Sequence, residues 1–232
     1  SRPTNNYLPK GTVDYSLPSY VYYKDQKEYA VLRCGLQVYT NKKNTPNKDL
    51  IPIVKEYAGT LPDHNEIKFV SLENGTQHTK LTLDVLWKAP FYFDILPQAY
   101  TNPSQQDYSV SSVTSNYVDI TFCYATVFEG EVTLPEDNPI FSSAKVIQNQ
   151  SDYTLRLYFK KQGAFYGWDA NYNEQGQLVF EFLNPAKVVA AENEYKADLT
   201  GVEILIDVGH GGVDGGAPGF SKDHNEAIQN LL

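Results

Sequence analysis

The chain has only two cysteines among its 232 residues, Cys34 and Cys123, and it has no methionine. Two thiols exclude a disulfide-rich scaffold, and they exclude a zinc site made of four cysteines. The two residues could form one bridge if two strands bring them together. The alternative is that each is a small buried residue in its own strand, which is the usual environment of a free cysteine.

Positive charge and long apolar segments are also scarce. Lys and Arg number 19 against 28 Asp and Glu, so the net charge is −9. Binding to nucleic acid or to an anionic membrane requires a basic surface, and we expect neither partner. No uncharged apolar run approaches the ~18 residues of a membrane-spanning helix. The N-terminus carries no apolar signal segment.

Aromatic residues are abundant and indicate a mainly β protein. Tyr, Phe and Trp make up 13% of the sequence, and these residues favour half-buried pleated surfaces. Short alternating segments separated by turn residues predict antiparallel hairpins and a sandwich-like fold. The predicted strand pairs are 20–23 with 29–39, 67–72 with 79–86, 145–148 with 153–159, and 165–172 with 177–182. In the second pair, Asn74-Gly75 predicts a type I′ turn.

The composition changes at about residue 185, where Pro185 follows the last predicted strand. We therefore predict a β-rich region over residues 1–126, a further β module over 127–189, and a linker over 190–200. Residues 201–232 have a different pattern, with an apolar run, six glycines within 208–219, and a helix start. This order of strand, glycine-rich loop and helix is typical of an α/β domain.

The glycine-rich loop contains residues that could hold a metal ion. His210 follows the apolar strand, and ligands collect at the carboxyl edge of parallel sheets. Glu226 lies sixteen positions later, at the head of the predicted helix. An imidazole nitrogen and a carboxylate oxygen are natural zinc ligands. A phosphate cradle and a purely structural turn remain as alternatives, although the loop fits neither common phosphate-binding motif.

Residues 204–217, ILIDVGHGGVDGGA, closely resemble the opening of the zinc-dependent N-acetylmuramoyl-L-alanine amidases. That family begins with a strand, an Asp-x-Gly-His-Gly-Gly-x-Asp-x-Gly-Ala motif, and a Glu that heads the first helix. The resemblance implies that His210 and Glu226 are zinc ligands. Asp207 is expected to orient the loop or the histidine. His224 could replace Glu226 as a ligand, but a solvated loop histidine is the favoured interpretation.

The resemblance also implies a function for the parent protein. It would hydrolyse the amide between the muramic acid lactyl group and L-alanine in peptidoglycan, using a zinc-activated water. The third ligand of the family, a histidine, and its catalytic glutamate have no counterpart before Leu232. We therefore expect no catalytic residue within this chain, and we expect the chain alone to be inactive. A secreted or envelope-associated location follows, with the signal peptide removed.

The β region is interpreted by a looser resemblance. Residues 127–189 are similar in pattern to the AMIN type of β module, which precedes such catalytic domains and is linked to envelope targeting. Trp87 and Trp168 lie in aromatic clusters that could stack on sugar rings, although packing in a sheet core is more ordinary. His64 and His78 are expected at the surface. The alternative functions are a non-catalytic module that binds cell-wall glycan or an envelope partner, and a structural spacer.

Overall fold

A computed structural model describes residues 8–24, 27–39, 60–97, 99–102, 107–109 and 114–186. The chain divides into two compact units, Ser1–Pro185 and Ala186–Leu232. Apart from residue 186, the second unit lies outside the described residues. The predicted linker over 190–200 and the predicted strand, loop and helix over 201–232 therefore lie outside them as well.

The regular elements of the described residues are all strands, so the prediction of a mainly β fold is confirmed. Across these residues no helix is long and apolar enough to cross a membrane. The strands, in chain order, are β1 (Ser16–Lys24), β2 (Lys27–Leu32), β3 (Gln37–Tyr39), β4 (Asn65–Asn74), β5 (His78–Val85), β6 (Phe91–Leu96), β7 (Ala99–Asn102), β8 (Asp107–Ser109), β9 (Tyr117–Phe122), β10 (Ala125–Glu129), β11 (Phe141–Gln148), β12 (Tyr153–Phe159), β13 (Trp168–Tyr172) and β14 (Leu178–Leu183).

Two sheets dominate the first unit. One has five strands in the order β10-β4-β5-β14-β13, and the other has four in the order β11-β12-β9-β6. Their pairs are antiparallel except that β10 runs parallel to β4. Strands β1-β2-β3 form a small antiparallel sheet, and β7 pairs with β8. The fold is therefore antiparallel with one parallel edge.

The five-stranded and four-stranded sheets pack face to face through aromatic side chains. Phe91 of β6 meets Phe180 of β14 with ring centroids 5.0 Å apart, and Phe141 of β11 meets Phe182 of β14 at 4.9 Å. Burying each such side chain contributes about 1.5–3 kcal/mol. The core also contains aliphatic residues from both sheets, among them Ile67, Leu81, Leu83, Ile120, Leu155, Leu157 and Leu178.

The strands do not divide at residue 127, where the sequence suggested a boundary between two β regions. That position falls inside β10. Strand β12 pairs with β9, and β14 pairs with β5, so strands from both sides of the boundary share both sheets. One continuous core fills the space between these sheets. The physical reason is that each range supplies strands to both sheets, so the apolar faces are covered only when the two ranges assemble together.

The segment predicted as one strand over 29–39 is broken in the middle. Strand β2 ends at Leu32, and a tight turn over 33–36 reverses the chain into β3. Gly35 has a φ of +93° and donates its N–H to the carbonyl of Leu32 at 2.8 Å. This conformation suits glycine, which has no Cβ to clash. Leu32, Leu36 and Val38 then form a small second cluster that contacts Tyr92 of the sandwich.

The other predicted hairpins are present, with one correction to a turn. Strands β11 and β12 pair, as do β13 and β14, across the predicted turns. Strands β4 and β5 also pair, but neither Asn74 nor Gly75 has the positive φ of a type I′ turn. The Asn74 amide instead donates to Asp137 at 2.8 Å and accepts from Asn138 at 2.9 Å. These contacts hold Asn74 in the strand.

Candidate functional site

The predicted zinc ligands His210 and Glu226 lie outside the described residues, as do Asp207 and His224. Their roles stay predictions from the sequence. Within the described ranges, no group of three or more His, Cys, Asp or Glu side chains is arranged to hold a metal ion. His64 is exposed and His78 is partly exposed. The candidate binding residues that can be described are therefore the two tryptophans.

Trp168, the first residue of β13, packs on the sandwich core. Its indole lies parallel to the Phe93 ring, with 3.7 Å between centroids and 7° between planes. It also contacts the edge of Phe91, with centroids 6.3 Å apart. One face of the indole is thus covered by a core side chain. This is the packing role that the sequence analysis held to be more ordinary, and at most the opposite face is left for a sugar ring.

Trp87 lies in the connection between β5 and β6, outside the main core. Its indole Nε1 donates to the carbonyl of His64 at 2.9 Å, which fixes the orientation of the ring. The indole stacks on Tyr124, with centroids 5.7 Å apart and 19° between planes. The Arg33 guanidinium lies 4.4 Å from the Tyr124 centroid and 6.0 Å from that of Tyr15. We call Tyr15, Arg33, Trp87 and Tyr124 the Trp87 cluster.

The four residues of this cluster come from four separate segments of the chain, and contacts from two other residues, Asp14 and Asp152, hold Tyr124. Tyr124 occupies the two-residue turn between β9 and β10 and has a φ of +64°. Its hydroxyl donates to the Asp14 carboxylate at 2.9 Å, and its N–H donates to Asp152 at 2.8 Å. A residue other than glycine at positive φ is uncommon and requires such surrounding contacts. The turn therefore presents the tyrosine ring to Trp87 in a fixed position.

The electrostatics of the cluster favour the neutral form of Tyr124 and the charged form of Arg33. Burial is the main cause that raises the pKa of Tyr124 above its ordinary value, with the Asp14 carboxylate adding to it. The hydrogen bond with Tyr124 raises the pKa of the Arg33 guanidinium. At physiological pH the cluster thus combines neutral aromatic rings with one cation. Arg33 is exposed and Tyr15 is 36% exposed, so these groups face solvent.

This arrangement can bind a flat, polar ligand. Aromatic rings supply apolar faces, the guanidinium supplies hydrogen-bond donors in one plane, and carboxylates supply acceptors. Asp63, His64 and Glu66 lie in the adjoining segment and are exposed. Sugars offer apolar C–H faces together with hydroxyl groups, so they match this combination.

Sequence reasoning singled out Trp87 but missed its three partners in the cluster. Tyr15, Arg33 and Tyr124 are far apart in sequence, and the Cys-Tyr dipeptide at 123–124 is not a recognised turn signal. The positive φ of Tyr124 depends on tertiary contacts with Asp14 and Asp152. Only the spatial arrangement identifies these residues.

Comparisons with protein-family models, with curated proteins and with solved structures found no match to this chain.

Proposed function

We propose that the protein belongs to a cell-wall hydrolase that cleaves the N-acetylmuramoyl–L-alanine amide of peptidoglycan. The observation that carries this proposal is the sequence from Ile204 to Glu226, in which a glycine-rich segment containing His210 follows a run of apolar residues. His210 and Glu226 have the donor chemistry that zinc prefers. Asp207 directly follows the apolar run, and the proposal gives it the role of orienting the loop.

The residues of this chain would hold the ion and shape the loop around it. His210 would donate a ring nitrogen, and Glu226 would donate a carboxylate oxygen. A zinc ion held there supplies Lewis-acid chemistry, which polarises a carbonyl and lowers the pKa of a bound water. The glycines would let the backbone approach the substrate closely, since they have no side chain to obstruct it.

The test uses the product of the complete reading frame that contains this chain. Zinc content and the release of stem peptides from purified peptidoglycan are measured together. His210→Ala is expected to lose bound zinc and more than about 100-fold in activity, because a direct ligand is removed. Glu226→Gln is expected to act in the same direction. His78→Ala is the matched control, since His78 is a partly exposed histidine at the start of β5 and lies outside both candidate sites, and it should change neither readout.

One further variant distinguishes the two candidates for the second ligand, Glu226 and His224. His224→Ala should leave zinc content unchanged if Glu226 is the ligand, and it should abolish zinc binding if His224 replaces it. Retention of stoichiometric zinc and full activity by His210→Ala would contradict the hydrolase proposal.

The second candidate function is glycan binding by the β unit, and the Trp87 cluster favours it. Cosedimentation of the chain with purified peptidoglycan would measure it. Trp87→Ala should weaken binding about 10-fold, because the indole face is lost. Tyr166→Ala is the control, since Tyr166 is a 50% exposed aromatic outside the cluster. Equal binding by both variants would reject the cluster as the glycan site.

A further inference from the structure

The two cysteines lie in turns that come from distant parts of the chain. Cys34 is in the turn between β2 and β3, and Cys123 is in the turn between β9 and β10. Both are free thiols in this structure. Cys123 is 2% exposed and belongs to the sandwich, whereas Cys34 is half-buried and packs against the small cluster of Leu32, Leu36 and Val38.

Several hydrogen bonds hold these two turns against each other. The hydroxyl of Tyr92, in the sandwich strand β6, donates to the carbonyl of Cys34 at 2.7 Å. The Asp14 carboxylate accepts the N–H of Cys34 at 3.4 Å and the hydroxyl of Tyr124, the neighbour of Cys123, at 2.9 Å. The N–H of Cys123 donates to the carbonyl of Pro90 at 3.2 Å. The backbone on both sides of the thiols is thus fixed.

The side chains meet inside this framework. The side chains of Cys34 and Cys123 are close enough to interact, and this interaction, together with burial, raises the pKa of Cys123. A protonated, buried thiol is a poor nucleophile. Cys34 is the more accessible of the two, so an external reagent would meet it first.

We propose that Cys34 and Cys123 are a disulfide-forming pair, and that their bond fastens the β2–β3 turn to the sandwich. The oxidant is a disulfide of the glutathione class. In the first step the Cys34 thiolate attacks one sulfur of this disulfide, and one reduced thiol leaves. In the second step Cys123 gives up its proton and its sulfur attacks the Cys34 sulfur, which expels the second reduced thiol. The pair loses two electrons and two protons, and the reagent gains both.

The bond would link the β2–β3 turn covalently to the β9–β10 turn, and the two turns are otherwise linked covalently only through the intervening chain. It closes a long loop between residues 34 and 123, and a long closed loop reduces the freedom of the unfolded chain most. The inference does not depend on the amidase proposal, because it uses only residues of the β unit. A disulfide of this kind persists in an oxidising environment.

The experiment uses the whole 232-residue chain, purified in the reduced form and then incubated with oxidised glutathione. Alkylation after denaturation counts the free thiols, and peptide mapping without reductant identifies the linked peptides. We expect both thiols to be lost in the monomer and the Cys34 peptide to be linked to the Cys123 peptide. Stable glutathione adducts on Cys34, dimers linked through Cys34, or an unreacted Cys123 would each overturn the proposal.

Thermal unfolding tests the fastening role. Oxidation should raise the Tm of the wild-type chain by about 5–15 °C, as expected for a long loop in a protein of this size. Cys34→Ser replaces the accessible thiol and should show no shift on the same treatment. Cys123→Ala is the second control and should likewise show no shift. Because Cys123 is buried, this substitution could impair folding, but the Cys34→Ser control does not depend on it. An unchanged or lower Tm in the cross-linked wild type would contradict the role.

Discussion

The ion pair between Arg156 and Asp119 gives the sharpest test of how the four-stranded sheet is stabilised. Arg156 donates from Nε and Nη2 to the two oxygens of Asp119, and both distances are 2.8 Å. The side chains are 25% and 12% exposed, respectively. The guanidinium also lies 3.9 Å from the centroid of the Tyr117 ring. The pair sits between neighbouring strands, since β12 pairs with β9 at this position.

Arg156→Met should destabilise the unit by about 2–4 kcal/mol. Removal of one partner from a fully buried pair costs about 3–5 kcal/mol, because the remaining charge is left without compensation. Arg156 is a quarter exposed, so water can reach part of the site and the cost falls towards the lower end of that range. Loss of the contact with Tyr117 adds about 0.5–1 kcal/mol.

Urea unfolding of a double-mutant cycle measures this energy. The cycle compares Arg156→Met, Asp119→Asn and the double variant. Since the double variant leaves no unpaired charge, it should be no less stable than Arg156→Met, and the coupling energy between the two residues should be about 1–2 kcal/mol.

Lys80→Met is the matched control, because the Lys80–Glu181 pair also joins two strands but its lysine is exposed. The loss of stability in Lys80→Met should therefore be much smaller than in Arg156→Met. Additive single costs, or a loss below about 0.5 kcal/mol for Arg156→Met, would refute the reasoning.

Three more outcomes follow from the described contacts. Tyr172 has a buried hydroxyl whose contact with Thr12 lacks the geometry of a hydrogen bond, so Tyr172→Phe should raise stability in urea by about 1 kcal/mol. Burial raises the pKa of the Tyr172 hydroxyl to about 12. The unfolded chain therefore loses this proton at a lower pH than the folded chain does. The stability of Tyr172→Phe relative to the wild type should grow by about 1.4 kcal/mol per pH unit between about pH 10 and pH 12. Gly130→Ala should lower the free energy of unfolding by about 1–3 kcal/mol in the same assay, because the φ of Gly130 is +89° and the new Cβ would lie 3.3 Å from the Phe69 Cβ. An unchanged urea midpoint would contradict this. Leu155→Ala should cost about 2–5 kcal/mol, since Leu155 is fully buried in the core; a cost below about 1 kcal/mol would contradict that placement.

Local patterns predicted the hairpins but not how the strands assemble. The hairpins β11–β12 and β13–β14 could be predicted because strand alternation and turn residues lie close together in sequence. The parallel pairing of β10 with β4 joins residues at least sixty positions apart, and no local signal encodes it. The break after Leu32 was missed because apolar residues continue on both sides of Gly35. The φ of +93° at Gly35 is required by the reversal of the chain into β3.

The candidate sites differ in how much of each could be predicted from the sequence. The zinc prediction rests on a local motif around His210, which sequence can identify without a fold. The Trp87 cluster depends on Tyr15, Arg33 and Tyr124, which come together only when the segment before β1, the β2–β3 turn and the β9–β10 turn are placed by the fold. The same holds for the two thiols, whose approach depends on the Tyr92 and Asp14 hydrogen bonds. Long-range placement of this kind requires the whole topology.

The position of β14 has a consequence for how the first unit responds to mechanical load. It is the last strand before Pro185, yet it lies inside its sheet, paired with β5 on one side and β13 on the other. A pull on the chain beyond Pro185 would therefore act on an interior strand rather than on a peripheral one. Both of its hydrogen-bonded ladders would resist, so tension transmitted from downstream would meet one of the most firmly held strands in the unit.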